Sequence, residues 1–320
     1  MPRSPMELAR LLIPRLTAEL HKGQCGKVGV VGGCLEYTGA PYYAAFTALK
    51  TGADLAHVFC AENAGTAIKA YSPELIVHPV VPNSLSSQTD QKAALDPIRP
   101  WLSRLTSLVV GPGLGRSESM QIVAGEAIQA ARDLCLPLVI DGDGLYYVEN
   151  KLDSVIGNDR CVLSPNKNEF KRLCKAALQA GLHDCNGSPP EDMVCRMSAS
   201  DLASALGGVI IVRKGAVDTV SNGEFSVDNS CVGSSRRCGG QGDVLAGALA
   251  TFLSWAHSSL HEATFASQAE RQIAACVGSC CLVKGAARAA YVKNGRSTTT
   301  VEIIQELPRT FQQNFERNEL

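Results

Sequence analysis

Asp243 is the residue whose surroundings are hardest to explain without chemistry. It closes the stretch Gly233-Ser-Ser-Arg-Arg-Cys-Gly-Gly-Gln-Gly-Asp243 and stands directly before Val244 to Trp255, an apolar run of helix-forming residues. Gly239, Gly240 and Gly242 allow backbone angles that other residues resist. The unpaired N–H groups of a helix start, left open by residues without side chains, form a pocket for an anion that the helix dipole strengthens. Phosphate suits that pocket. A carboxylate beside phosphate repels it, so Asp243 needs a reason to be there. Taking a proton from a hydroxyl that attacks the phosphate is one reason; capping the helix is the other.

Three more groups have the right types and spacing to serve such a site. Asn166 and Glu169 lie three apart at the start of a helix expected to run to about Ala180, which puts their oxygens on one face. They suit a hydrated Mg²⁺, an ion that keeps most of its waters and takes few protein ligands, or a reciprocal helix cap. Asp141 and Asp143, in Asp-Gly-Asp-Gly144, follow a buried apolar strand, and Gly113 follows another. At strand ends these residues would line a common crevice, although Asp-Gly-Asp-Gly also reads as turn chemistry. Lys214-Gly-Ala-Val-Asp218 ends a third strand, where a sheet edge could meet a nucleotide. His257 and His261 are four apart, but without a carboxylate between them they read as solvent-facing residues near a helix end.

The elements that must position these groups alternate. Strands are expected at Lys27 to Gly33, Leu55 to Cys60, Glu74 to Pro79, Ser107 into the Gly111-Pro-Gly-Leu-Gly115 loop, Pro137 to Ile140, Cys161 onward and Gly208 to Arg213. Helices are expected at Pro41 to Gly52, Asn63 to Ala70, Ser117 to Leu134 and Gln272 to Val292, the last Ala- and Cys-rich and hence buried. An Asn-Gly turn inside Asp218 to Val227 marks a hairpin. Thr299 and Glu302 suit a capping box for a final helix to about Glu316. Pro82 to Gln91 is expected to be a surface loop, and Ala180 to Ser198 a polar excursion. Met6 to Leu20 has helical spacing interrupted by Pro14, so residues 1–20 read as an N-terminal helical extension. This order implies an α/β fold with a central, mostly parallel sheet and helices on both faces. Nothing in it parts two domains, so residues 1–320 are expected to form one.

Composition narrows the function classes. Of 320 residues, 45% are hydrophobic and 19% charged, with a net charge of −1; a nucleic-acid binder would carry a basic excess, and this chain carries none. Thirteen cysteines, an odd number with no Cys-x-x-Cys spacing, read as reduced core residues rather than disulfides or a thiolate metal site. That implies a reducing compartment, and a cytoplasmic location is expected, with a mitochondrial form of a longer precursor left open. A secretory signal is unsupported, and no apolar run approaches the ~20 residues of a membrane span, so no membrane partner is expected. Homo-oligomer formation stays open.

Four segments taken together carry a family resemblance: Gly113 in Gly-Pro-Gly-Leu-Gly, Asn166-Lys-Asn-Glu169, Lys214-Gly-Ala-Val-Asp218 and Gly239-Gly-Gln-Gly-Asp243. The chain resembles the ribokinase-like kinases, and among them the NAD(P)H-hydrate dehydratases, from about Leu20 to Phe315. Val31-Gly-Gly-Cys-Leu-Glu-Tyr-Thr-Gly-Ala-Pro41, Tyr71-Ser-Pro-Glu-Leu-Ile-Val-His-Pro79 and Gly295-Arg-Ser-Thr-Thr-Thr300 are as characteristic as the glycine turn. Ser234 to Gly242 is similar to the eukaryotic, ATP-using branch. The resemblance implies a ribokinase-like fold and ATP-dependent dehydration of the S-form of hydrated NADH and NADPH (NADHX and NADPHX), with Mg²⁺ as cofactor. It implies that Gly113, Asn166, Lys167, Asn168, Glu169, Phe170, Lys171, Arg172 and Asp243 contact the hydrated cofactor. It implies that Lys214, Gly215, Ala216, Val217 and Asp218 contact ATP, as do Gly233, Ser234, Ser235, Arg236, Arg237, Cys238, Gly239, Gly240, Gln241 and Gly242. Gln241 departs from the family pattern, since many sugar kinases carry Ala there. Two other readings stand beside this one: a kinase of a small vitamin precursor or sugar, and a non-catalytic nucleotide-binding regulator.

Overall fold

The structure, a computed structural model, describes residues 3–81, 95–182, 194–258 and 265–316. The loop expected from Pro82 to Gln91, most of the excursion from Ala180 to Ser198, and His261 lie outside the described residues.

The first half of the chain alternates β1 (Lys27–Val31), α2 (Gly39–Thr51), β2 (Leu55–Ala61), α3 (Gly65–Tyr71) and β3 (Ile76–Val81), preceded by α1 (Pro5–Leu11). After the short α4 (Arg99–Leu102) come β4 (Ser107–Val110), α5 (Glu118–Asp133), β5 (Leu138–Ile140), α6 (Asp143–Asn150), β6 (Cys161–Leu163) and α7 (Lys167–Gln179). The remainder is α8 (Ala199–Ala205), β7 (Ile210–Arg213), β8 (Asp218–Ser221), β9 (Ser226–Asn229), α9 (Gln241–Ala256), α10 (Gln268–Asn294) and α11 (Thr300–Phe315).

The nine strands form one sheet in the order β3-β2-β1-β4-β5-β6-β7-β8-β9. Pairing is parallel from β3 to β7 and antiparallel for β7-β8 and β8-β9. The parallel part follows from sequence: Leu108, Val109 and Val110 are fully buried, as apolar strands without alternation must be, because helices cover both faces. β4 and β5 are packed by α5 and also by α9, which belong to two separate helical layers. The Asn-Gly hairpin forms as expected, with Val220 opposite Val227.

Four helices depart from expectation, each for a physical reason. α1 stops at Leu11, ahead of Pro14, and is capped by a Ser4–Glu7 box. Residues 3–20 are therefore not one continuous helix: a single short helix packs on α10, with Ala9 and its C-cap Leu12 completely buried. α6 and α8 lie in stretches that sequence periodicity did not mark as helices; at seven or eight residues, such helices show too few turns for a period to stand out. α10 is long and apolar enough in composition to cross a bilayer, contrary to the sequence reading, but 78% of that apolar window is buried inside the fold. Its surface goes to the core. The twelve described cysteines are free thiols, as expected, and Cys185 lies outside the described residues.

Candidate active site

The parallel strands deliver the candidate residues to one edge. Asp141 directly follows β5, Ser164 and the loop to Asn166 follow β6, and Lys214 follows β7; in open α/β sheets, ligands gather at these carboxyl ends. Above them a cavity of about 940 Å³ runs between the strand ends, the 230–242 turn and α10.

Asp243 sits in the first turn of α9 and is not the cap. Gly240 is the N-cap, with φ of 94°, which only glycine adopts without strain, and its carbonyl accepts from Val244 N–H at 3.0 Å. Asp243 is therefore not the N-cap, although its carboxylate also accepts from its own backbone N–H in the first turn. Its carboxylate faces a crowded set of charges. Lys214 Nζ donates to Asp141 Oδ1 at 2.6 Å, and Ser164 Oγ donates to the same oxygen at 3.0 Å. A Cβ on Gly242 would lie 3.2 Å from Asp141 Oδ2 and 3.3 Å from Lys214 Nζ, so glycine at 242 leaves the pair room to approach the helix start without being pushed back. Burial pushes the Asp243 carboxyl up to about 7, the Asp141 charge adds to the rise, and Lys214 opposes it. Burial also works against the Lys214 charge, but the Asp141 and Glu169 carboxylates and the bond to Asp141 outweigh it and hold the ammonium's pKa above its ordinary value. A base with a pKa near neutrality, next to an anion pocket, is equipped to take a proton from a hydroxyl.

Asn166 and Glu169 adopt the reciprocal cap that the sequence left open. Asn166 Oδ1 accepts from the N–H groups of Asn168 at 2.9 Å and Glu169 at 3.1 Å, while Glu169 Oε2 accepts from Asn166 N–H at 2.7 Å. Both still line the cavity together with Lys167. Burial raises the Glu169 pKa, with Lys214 acting against the rise. Among the described residues no group of three or more His, Cys, Asp and Glu side chains is arranged to hold a metal ion. Glu169 and Asn166 offer one carboxylate and one amide oxygen at the cavity, a donor set that fits an ion keeping most of its own waters.

The rest of the 166–172 segment points elsewhere. Phe170 is buried under the Arg213 guanidinium, 4.7 Å from its ring centroid; Arg172 Nε donates to Glu149 at 2.6 Å; Asn168 and Lys171 are exposed on α7. Gly113 faces the loop after β1, where its carbonyl accepts from Gly33 at 3.1 Å and Cys34 at 2.9 Å, and it is not among the residues lining the cavity. Asp143, which does not line the cavity either, holds the loop after β4 to which Gly113 belongs, accepting from Gly115 N–H at 2.9 Å and Arg116 Nε at 3.0 Å.

Lys214, Gly215, Ala216 and Asp218 line the cavity, whereas Val217 points outward with 49% exposure. From the turn, Gly233, Ser234, Ser235, Arg237, Gly240, Gln241 and Gly242 line it. Arg236, Cys238 and Gly239 instead fasten the turn to the start of α11: Arg236 Nε donates to Thr298 O at 3.4 Å, Cys238 Sγ lies 3.5 Å from Thr300 Oγ1, and that hydroxyl donates to Gly239 O. This is what Gly295 to Thr300 does. Gln241 Nε2 donates to Arg236 O at 3.3 Å, so its amide braces the turn.

Sequence reasoning missed Ser164, which reaches this site through Asp141, and Lys284, which lines the cavity; it marked Thr300 only as part of a characteristic segment, without its bond to the turn. Lys284 left a readable signal, since a lysine within a buried Ala- and Cys-rich helix needs a partner. His257 is not solvent-facing. Its Nε2 lies 3.1 Å from Gln272 Nε2, and burial lowers its pKa to about 3.

The sequence and the fold both have known relatives. A family model described as NAD(P)H-hydrate dehydratase matches residues 28–309. The ATP-dependent (S)-NAD(P)H-hydrate dehydratase of Pongo abelii is 45% identical, covering 97% of this chain and 89% of the relative. That of Arabidopsis thaliana is 44% identical over 92% and 81%. Among solved structures, a ribokinase-like superfamily protein of Enterococcus faecalis superposes with a TM-score of 0.73 at 18% identity, covering 98% of this chain and 95% of its own. The ADP/ATP-dependent NAD(P)H-hydrate dehydratase of Bacillus subtilis, co-crystallized with ATP/Mg²⁺, superposes with a TM-score of 0.65 at 19% identity, covering 97% of each chain. The structural likeness fixes the fold as ribokinase-like. Identity of this extent over nearly the full length of both chains, rather than in one motif, shows that the chain belongs to the NAD(P)H-hydrate dehydratase family.

Proposed function

We propose that this chain dehydrates the S-form of hydrated NADH and NADPH at the expense of ATP, returning NADH or NADPH with ADP and phosphate. The observation that carries the reading is Asp243: a carboxyl with a pKa of about 7 in the first turn of α9, beside a glycine turn and within the same cavity as Lys214 and Asn166.

The hydroxyl on carbon 6 of the hydrated ring is a poor leaving group. Asp243 takes its proton as the oxygen attacks the γ-phosphorus of ATP, and ADP departs. The backbone N–H groups at the start of α9 face the charge that develops on the transferring phosphoryl group. Mg²⁺ bound with the nucleotide would neutralise part of the same charge, with Glu169 and Asn166 the residues placed to meet its water shell. Phosphate is then a good leaving group. Its loss, together with a proton from the adjacent ring carbon, restores the double bond, so one hydroxyl and one hydrogen leave the ring. Asp141 and Ser164 hold Lys214 in place beneath the turn. The contacts assigned to the hydrated cofactor centre on Asn166, Lys167, Glu169 and Asp243. Those assigned to ATP centre on Lys214 to Ala216 and Gly233 to Gly242.

Incubation with acid-hydrated NADH and either ATP or ADP, following recovery of the reduced-nicotinamide absorbance and release of phosphate, tests the reading. Recovery matched one to one by phosphate, with ATP and not ADP, is expected. A phosphorylated product that accumulates without recovery would mark a kinase of the same fold instead.

A further inference from the structure

A lysine inside a core helix is costly unless it is paired. Around Lys284 on α10, Cys280, Cys281, Leu282 and Val283 are buried, and the Lys284 side chain is only 14% exposed. Its ammonium leaves the helix for two partners: Asp218 Oδ2 at 2.9 Å and the Ala216 carbonyl at 2.8 Å. Asp218, itself buried, accepts from Gly215 N–H at 2.9 Å through its other oxygen and from the Asn229 amide at 3.4 Å. One cation thus fastens both the middle and the end of the 214–218 loop. The stem of the same lysine also meets the glycine turn, since a Cβ on Gly233 would lie 3.3 Å from Lys284 Cγ. The loop, the turn and Lys284 are three walls of one cavity.

We propose that Lys284 is a positioning residue for the nucleotide: by gripping Ala216 O and Asp218 it holds the 214–218 loop in its ATP-accepting shape and sets the loop's distance from the glycine turn. A loop anchored to a core helix loses little further freedom when a ligand binds. Loss of the anchor therefore weakens nucleotide binding more than it slows the chemical step, whose base belongs to α9. The proposal rests on the assignment of the loop and turn to ATP.

Steady-state kinetics and ATP titration calorimetry on Lys284→Met, alongside wild type, are the test. KM and Kd for ATP should rise about tenfold, the magnitude of one charged hydrogen-bonding group, while kcat stays within about twofold and KM for the hydrated cofactor is unchanged. Lys284→Arg should recover part of the affinity. Lys284→Met leaves Asp218 as a buried charge without its cation, which can unfold a protein. The double variant Lys284→Met/Asp218→Asn removes both charges, and it should fold and still show the raised KM. Unchanged ATP affinity in a folded Lys284 variant overturns the proposal, as does a joint rise in both KM values with loss of kcat. A wild type that repairs the hydrated cofactor without ATP overturns the proposed function and this inference with it. An ATP-requiring wild type with indifferent Lys284 variants overturns only this inference.

Discussion

At the scale of single residues, the charge balance around Asp243 decides what can be measured. The proposed base works only when ionised, so kcat/KM should rise with pH through an apparent pKa of about 7. Asp141 contributes to that elevated value and Lys214 opposes it. Asp141→Asn removes the like charge and frees Lys214, so the acidic limb should move to lower pH; a limb that stays in place would show that Asp243 is not the titrating base. Asp243→Asn should leave ATP binding nearly intact and lower turnover by about 10² to 10⁴, read by single-turnover kinetics. The same raised pKa has a stability consequence. The folded state holds the Asp243 proton where the unfolded chain has lost it, so the residue costs stability increasingly as pH rises from the ordinary carboxylate range to about 7, and the cost persists above. Asp243→Asn should therefore raise the thermal midpoint more at pH 8 than at pH 5.

At the scale of elements, the site depends on how closely helices can approach. α9 is buried on all sides from Val244 to Ala256, and its start can sit over the strand ends because it crosses α2 at Gly247, where a Cβ would lie 2.0 Å from Ala44 O. Gly247→Ala should lower stability by roughly 3 kcal/mol, at the upper end of overpacking costs, in a urea titration. The start of α7 offers a separate test. If Glu169 meets the metal's water shell, Glu169→Gln should raise the Mg²⁺ concentration needed for half-maximal turnover, while an unchanged Mg²⁺ titration would leave that residue only its cap at Asn166 N–H.

At the scale of the whole molecule, segments far apart in sequence hold one another. α1 is tied to the last helix by Arg10 Nε donating to Asn314 O at 2.7 Å, and Leu12 is fully buried. Leu12→Ala should cost about 2–5 kcal/mol by leaving a cavity, without altering kcat of the folded fraction, since Leu12 does not line the site cavity. Equilibrium denaturation with parallel activity measurements checks both halves of that statement.

Much of this was legible in the residues themselves. Apolar, β-branched runs located the parallel strands, because a strand covered on both faces is mostly apolar; Thr299 and Glu302 announced the cap of α11, which is a local interaction. The turn before Asp243 was readable for the same reason, as glycine spacing and a helix start lie within a few residues. What sequence left open was every question of which groups meet across the fold. Asn166 and Glu169 could cap or meet a metal, Asp243 could cap or act as base, and Lys284 looked like part of a buried helix. The tertiary structure shows which groups meet: it brings Asp141, Lys214 and Asp243 from the ends of β5 and β7 and from α9 to one cavity, pairs Asn166 with Glu169 in a reciprocal cap, and sets α10 against the 214–218 loop. Local order is written in neighbouring residues, whereas proton affinity and loop anchoring depend on charges and burial supplied by partners tens to more than a hundred positions away.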